Sequence, residues 1–146
     1  MELSVKQVRE VTGPLLEAFA RLMPQLSPLL EAPSAARLQA IVESPSAALF
    51  AAEAGGCIRG LLTLVWYDVP SGRKAWIEDV VVDAEARGTG AGRALVAAAL
   101  EHAAVIGAGR VLLTSNPARE AARALYRKMG FEEAATTVFA IKTDAK

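Results

Sequence analysis

The sequence predicts an α/β fold: one central mixed, mostly antiparallel β-sheet flanked by helices. Three observations carry this expectation. Over residues 47–83, strand-like runs are separated by the short turns Ala54-Gly55-Gly56 and Pro70-Ser71-Gly72, which is a pattern of antiparallel hairpins. Over residues 80–95, a β-branched run gives way to a glycine-rich segment and then to a helical repeat. Beyond that point strand-like and helix-like segments alternate, which calls for helical crossovers and a parallel neighbour.

Each element follows from local signals. Leu3, Val5 and Val8 suggest a first strand. Thr12 can cap a helix with Pro14 in its first turn, and Leu15, Leu16, Phe19, Leu22 and Met23 give helical spacing until Pro24 ends it. Residues 25–33 are irregular. Ser34 can cap a second helix carrying Leu38, Ile41 and Val42, which stops near Ser44-Pro45. Residues 47–53 read as a strand, 58–66 as its hairpin partner and 74–83 as the next strand. Residues 91–106 form a helix with Leu95, Ala98, Ala99, His102 and Ile106 along one side, ended by Gly107 and Gly109. Residues 110–114 form a buried strand. Pro117 suits the first turn of a helix running to Met129. Residues 131–134 and 137–143 fit as two last strands, giving the order βααβββαβαββ.

Composition narrows the function classes. A chain of 146 residues reads as one domain, 1–146, long enough for a real core. The 16 basic and 16 acidic residues balance, and no block of like charge points to nucleic acid or a membrane surface. Pro14, Pro24, Pro28 and Pro33 break the longest apolar stretches, so no transmembrane span is expected. The segment Met1-Glu2-Leu3-Ser4-Val5-Lys6 lacks the basic-then-apolar order of a signal peptide, and the single Cys57 permits no internal disulfide. A cytoplasmic protein is the expectation. No His, Cys and carboxylate cluster has metal-ligand spacing.

The strand-loop-helix at 80–95 is the most informative stretch. Glycines let backbone N–H groups approach a ligand, and a helix N-terminus adds partial positive charge, so a phosphate or pyrophosphate is the natural guest. A P-loop would need Lys-Ser/Thr after its last glycine, whereas Arg93-Ala94 follow here. A dinucleotide fingerprint would need Gly-x-Gly-x-x-Gly, whereas Gly88-Thr89-Gly90-Ala91-Gly92 is spaced Gly-x-Gly-x-Gly, and the next strand ends without a carboxylate.

The pattern left is Arg-x-x-Gly-x-Gly at Arg87, Gly90 and Gly92, and it resembles the acyl-CoA pyrophosphate loop of the GCN5-related N-acetyltransferase (GNAT) family. The segment from Asn116-Pro117 through Tyr126 to Gly130-Phe131 is similar to the family's next strand-helix-strand unit, and Trp76-Ile77-Glu78-Asp79-Val80-Val81-Val82 to its central strand. The three segments come in the family's order, and together they bring nearly the whole chain into a single GNAT-like domain.

The resemblance implies acetyl-CoA as co-substrate and an amine acceptor. Attack on the thioester needs a deprotonated amine, an oxyanion donor and a proton for the departing thiolate. Glu78 is the candidate general base, on a strand where Trp76, Glu78, Val80 and Val82 are expected to share one face. The alternative is a solvated strand carboxylate. Asp79 points the other way unless a bulge shifts the register, and it is the second choice. Tyr126 is the candidate general acid, or else a core tyrosine near Ala122 and Met129. The backbone of Val80, Val81 and Val82 is expected to bind the pantetheine arm as a strand edge would, with an N–H near Val80 as oxyanion donor. Arg87, Gly88, Thr89, Gly90, Ala91, Gly92 and Arg93 are expected to hold the pyrophosphate. The resemblance gives Asn116 a hydrogen bond to pantetheine, against a plain Asn-Pro turn. Arg119 and Arg123 can reach CoA phosphates, against plain solvated arginines on a helix surface.

Four residues take plainer readings. His102 is expected to pack, Cys57 to be no nucleophile, and Trp66 and Tyr67 to line either an acceptor pocket or the core. Asp68, Glu78 and Asp79 favour a cationic amine, and a small molecule is preferred to a peptide or protein amine. Many members of the family are dimers, which leaves a homodimer open. A non-catalytic acyl-CoA sensor is the competing class, and it would need neither Glu78 nor Tyr126.

Overall fold

The computed structural model describes residues 2–145. The chain divides into two compact units, Met1–Thr114 and Ser115–Lys146. The first contains β1 (Leu3–Gln7), α1 (Gly13–Leu26), α2 (Ala35–Glu43), β2 (Ala47–Ala54), β3 (Cys57–Val69), β4 (Gly72–Val82), a 3-10 turn (Ala84–Ala86), α3 (Ala91–Val105) and β5 (Arg110–Leu112). The five strands lie in the order β1-β2-β3-β4-β5. The first three pairings are antiparallel and β4–β5 is parallel, which is the mixed, mostly antiparallel sheet that the sequence predicts.

The hairpins form where the turn residues stand. Ala54 pairs with Cys57 around Gly55 and Gly56, whose φ values of 60° and 74° suit a two-residue turn that matches strand twist. Helix α1 begins as expected: the Thr12 hydroxyl accepts from the Leu15 N–H at 3.2 Å, and Pro14 sits in the first turn. Pro24 does not end it. The helix continues to Leu26, and the Ser27 N–H still bonds to the Met23 carbonyl at 3.1 Å. A proline this late removes one i→i−4 bond without reaching the bonds of the final residues.

Two cores sandwich the sheet. On one face Leu15, Phe19 and Leu22 of α1 and Leu38 of α2 pack with Leu49, Ala51, Leu61 and Val81. On the other face lies α3. A Cβ built on Gly60 would stand 2.9 Å from the Leu95 Cδ1, so the glycine is what lets α3 approach β3 this closely.

Two β-bulges interrupt the ladders. Ala52 pairs with Gly60 but Glu53 with Ile58, which leaves Arg59 as the extra residue of β3. Thr63 pairs with Glu78 but Leu61 with Val81, so Asp79 and Val80 of β4 stand against Leu62 alone. An extra residue bends its strand and flips the alternation beyond it.

In the second unit, α4 spans Glu120–Lys128. It starts later than Pro117 because the Asn116 Oδ1 accepts from the Ala118 N–H at 2.9 Å and the Arg119 N–H bonds to the Asn116 carbonyl at 2.9 Å, which closes a separate turn first. The element order matches the expected one through α4. Residues 131–145 carry no strand, unlike the expectation for 131–134 and 137–143. Val138, Phe139 and Ile141 are 68%, 91% and 90% exposed. Strand propensity is a preference for a pleated, half-buried surface, and an exposed run has none to lie on.

Candidate active site

The β4 bulge sets the geometry of the candidate base. Glu78 is the last residue of β4 in the ladder before the bulge, directly opposite Thr63, and it is solvent-exposed. Asp79 follows in the left-handed region with φ 48°. Desolvation of the part of Glu78 that lies against the sheet, then the neighbouring Asp79 charge, push its carboxyl above the ordinary value. Residues paired across strands share a face. Trp76 (opposite Val65) and Glu78 therefore share theirs with Val81 (opposite Leu61), on the α1 side. The expectation that Val80 and Val82 continue the Glu78 face is corrected by the bulge. Val82 pairs with Gly60, and its Cγ2 lies toward the α3 side of the sheet with Leu95.

The outer edge of β4 changes character at the same place. β5 pairs only with Lys74, Ala75 and Trp76. Among the described residues, no strand pairs with that edge from Ile77 to Val82. The main chain at Val80, Val81 and Val82 thus borders an open strand edge, which an extended amide-bearing ligand can extend.

The glycine-rich loop follows. Gly88 and Gly90 have φ values of 81° and 88°, and a Cβ on either would meet no atom within 4 Å. The Thr89 hydroxyl donates to the Ala86 carbonyl at 2.5 Å, which closes the turn. Gly90 occupies the N-cap of α3, where no side chain caps the helix, and the first satisfied helical N–H is that of Ala94, to the Gly90 carbonyl at 2.9 Å. The N–H groups of Ala91, Gly92 and Arg93 are therefore the unpartnered ones of a helix start. Ala91 is buried and anchors that first turn, while Arg87 and Arg93 are exposed. Among the described residues neither arginine is ion-paired. Open backbone, a helix N-terminus and two available guanidiniums make an anion cradle.

The base of this loop is held by charge. Asp83, 3% exposed, accepts from the Glu85 N–H at 3.1 Å, from Arg21 Nη1 at 2.5 Å and from Arg59 Nη1 at 3.3 Å. Burial alone would raise its pKa. The Glu85 N–H, Gln25, Arg59 and the Arg21 charge outweigh it and hold the carboxyl below the ordinary value.

The aromatic residues divide between the faces. The Trp76 indole N–H donates to the Tyr67 hydroxyl at 2.8 Å, joining a half-buried and an exposed ring on the Glu78 face. Trp66 lies on the α3 side against His102, with ring centroids 5.4 Å apart, and His102 also meets Phe50 at 5.7 Å. His102 is a packed residue, and Trp66 belongs to the α3 core. Asp68 is held by Arg73 through bonds of 2.7 and 2.9 Å, so its charge is already matched.

In the second unit, Asn116 spends its side-chain carbonyl on the turn described above, which leaves its amide N–H₂ as donor. Arg119 is the exposed N-cap of α4. Tyr126 is half-buried, with its ring 5.9 Å from that of Phe131. Burial raises its pKa, and Arg119 opposes that in part. Arg123 is engaged by Glu133.

Among the described residues, no group of His, Cys, Asp and Glu could hold a metal ion, and no helix is long and apolar enough to cross a membrane. Sequence reasoning placed Trp76 on the Glu78 face without giving it a role, and it missed Arg21, Arg59 and Asp83. Trp76 stands two residues before Glu78, which is a usable signal in a strand. The Arg21–Asp83 pair bridges 62 positions and has no local signature.

The family model described as the acetyltransferase (GNAT) family matches residues 15–131. Among solved structures, the chain is similar to an aminoglycoside acetyltransferase, HMB0005, from an uncultured soil metagenomic sample, at 25% identity and TM-score 0.85, covering 99% of this chain and 100% of that one. It is similar to a putative acetyltransferase from Agrobacterium tumefaciens str. C58, at 26% identity and TM-score 0.81, covering 96% and 99%. It shares the fold of AAC(6')-Iy, solved with the bisubstrate analog CoA-S-monomethyl-acetylneamine, at 22% identity and TM-score 0.79, covering 98% and 99%. No curated protein matches the chain in the sequence search.

Proposed function

The chain belongs to the acetyltransferase (GNAT) family, and from that premise we propose that residues 1–146 act as one N-acetyltransferase domain. It moves an acetyl group from acetyl-CoA to a primary amine of a small molecule by direct attack in a ternary complex. The observation that carries this reading is the run of features along β4: a raised-pKa carboxylate, a bulge, an open strand edge and an anion cradle.

Acetyl-CoA supplies the activated thioester carbonyl. Arg87, Arg93 and the backbone of residues 88–92 hold its pyrophosphate, with Arg119 on a further phosphate. The main chain of Val80, Val81 and Val82 and the Asn116 amide align the pantetheine arm. Glu78, directly or through a water, takes the proton from the acceptor ammonium, whose pKa of about 10 otherwise keeps it unreactive at neutral pH. The amine nitrogen bonds to the carbonyl carbon while a backbone N–H near Val80 stabilises the oxyanion. The C–S bond then breaks, and Tyr126 gives its proton to the thiolate.

The acceptor side fits a cationic small molecule. Trp76 and Tyr67 give a hydrogen-bonded aromatic pair on the Glu78 face, and Glu78 and Asp79 add negative charge. Aromatic faces attract ammonium groups and pack against rings. Amino sugars combine both features, and the aminoglycoside acetyltransferase that this chain resembles makes them the first compounds to try.

Thermal shift with acetyl-CoA, followed by an acetylation screen over amino sugars, polyamines and peptides, tests the proposal. Stabilisation by acetyl-CoA with turnover of a small amine supports it. Stabilisation without transfer to any amine would instead make the protein an acyl-CoA sensor, and no stabilisation at millimolar acetyl-CoA would remove the donor.

A further inference from the structure

The buried charge of Asp83 has no place in the acetyl transfer just described. It lies at the root of the anion cradle, as N-cap of the 3-10 turn Ala84–Ala86 that leads into Arg87 and Gly88. Three consecutive residues there are each gripped from another element. Asp83 is held by Arg21 of α1 and Arg59 of β3. The Ala84 N–H donates to Gln25 Oε1 of α1 at 2.8 Å. Glu85 meets Arg59 at 3.3 Å.

Arg21 does more than neutralise. Its Nη2 donates to the Ile58 carbonyl at 2.8 Å while Nη1 reaches Asp83, so one planar guanidinium fixes the distance between β3 and the loop root. Arg21 and Gln25 are one helical turn apart and present adjacent side chains to adjacent loop residues. Arg59 gets there because it is the extra residue of the β3 bulge, and its own carbonyl accepts from the Asp83 N–H at 2.8 Å.

We propose that Arg21, with Gln25 beside it, is a positioning residue for donor binding: through Asp83 and Ala84 it sets the root of the 87–93 loop, so that the backbone N–H groups and Arg87 converge on the pyrophosphate. The proposal rests on the acetyl-CoA reading above. An anion cradle made of main chain owes its affinity to preorganisation, because each N–H ordered only on binding costs entropy. Glu17 holds the same guanidinium from an exposed position and has no contact with the loop, so it serves as control.

The test compares Arg21→Gln, Arg21→Lys, Gln25→Ala and Glu17→Ala with wild type, each checked by circular dichroism at the assay temperature. Acetyl-CoA affinity is measured by calorimetry, and kcat/KM is measured with acetyl-CoA and with S-acetylpantetheine, which has the thioester but no pyrophosphate. Folded Arg21→Gln is expected to bind acetyl-CoA at least fivefold more weakly, with S-acetylpantetheine turnover within twofold of wild type. Arg21→Lys keeps the charge but loses the fork, and falls between. Gln25→Ala, which leaves the ion pair in place, weakens acetyl-CoA binding two- to threefold and keeps the test decisive should Arg21→Gln not fold. Glu17→Ala changes neither. Unchanged acetyl-CoA affinity in folded Arg21→Gln, or in Gln25→Ala where Arg21→Gln does not fold, overturns the proposal, as does an equal loss with both donors. A wild-type protein that does not bind acetyl-CoA overturns the donor reading itself, and this inference with it.

Discussion

Glu78 and Asp79 are covalent neighbours divided by a change of backbone state: Glu78 faces Thr63 in the ladder, and Asp79, at φ 48°, has left it. The arrangement keeps two carboxylates adjacent at the point where β4 loses its outer partner. Desolvation and the second charge both favour the protonated form of Glu78. The carboxylate that remains at neutral pH is a stronger base than a freely solvated one.

Glu78→Gln is expected to lower kcat by about 100-fold or more, the usual range for loss of a general base, with acetyl-CoA affinity unchanged. In wild type the acid limb of the rate profile is expected to follow Glu78 and to lie above the ordinary carboxylate value. Asp79→Asn removes one of the two causes of that shift and should move the limb to lower pH. Initial rates from pH 4 to 9 decide the matter, and a Glu78→Gln enzyme with wild-type kcat throughout removes Glu78 from the chemistry.

Glu78 and Asp83 should act on stability with opposite signs. The folded-state pKa of Glu78 is raised, so its contribution is full below the unfolded value of about 4.3 and is lost as pH rises through the folded value. Glu78→Gln, neutral throughout, should melt higher than wild type at pH 7, and the gain should vanish near pH 4. The folded-state pKa of Asp83 is depressed, so its contribution is present above about 3.9 and is lost as pH falls through the folded value. Asp83→Asn leaves two guanidiniums short of a buried partner and should cost about 3–5 kcal/mol at pH 7, with the deficit shrinking in acid. Melting curves at pH 4 and pH 7 test both, and a shared sign would contradict the assignment.

Tyr126 keeps its proton to higher pH than a free phenol. Tyr126→Phe should lower kcat by about 10- to 100-fold, at or below the usual range for a general acid, and leave the acceptor KM within twofold. A matched loss in a thermal melt, with kcat unaffected, would show a packing role against Phe131 instead.

Backbone strain at Asp79 is measurable without any substrate. A β-branched residue tolerates positive φ poorly, so Asp79→Val should be less stable than Asp79→Gly by about 1–2 kcal/mol. Urea unfolding gives the difference, and equal midpoints would mean that the bulge relaxes.

Gly90→Ala should cost about 1 kcal/mol through its φ of 88° alone, since nothing lies within 4 Å of the added Cβ. It should also reduce the acetyl-CoA thermal shift. Gly60→Ala meets the Leu95 Cδ1 at 2.9 Å and the Val81 carbonyl at 3.2 Å, and should cost about 1–3 kcal/mol by overpacking. A smaller cost at Gly60 than at Gly90 would show that α3 shifts freely on the sheet.

What the sequence made legible was whatever is written locally. The Thr12 and Ser34 caps, the Gly55-Gly56 turn and the glycine loop stand in the chain as residue types, and each forms in place. The bulge at Asp79 and Val80 was not legible as such, because an aspartate at positive φ carries no glycine to announce it, and one extra residue reassigns the faces of Val80, Val81 and Val82. The strands expected after Phe131 failed for the converse reason: alternation is a local signal, and pairing is not. Arg21 and Asp83 meet only because α1 packs against β3 and β4 in the folded chain.

Counted along β4, Asp79 is one residue more than the packing needs. Remove it, and Glu78 joins Val80 in unbroken alternation: Ala75 and Ile77 keep the α3 side, Val81 keeps the α1 side, and Val82 stays beside Gly60. The shortened strand would satisfy both cores. The hydrophobic interior therefore gives no reason for the residue's presence, and a deletion at this single position would separate the requirements of folding from those of chemistry more cleanly than any side-chain replacement.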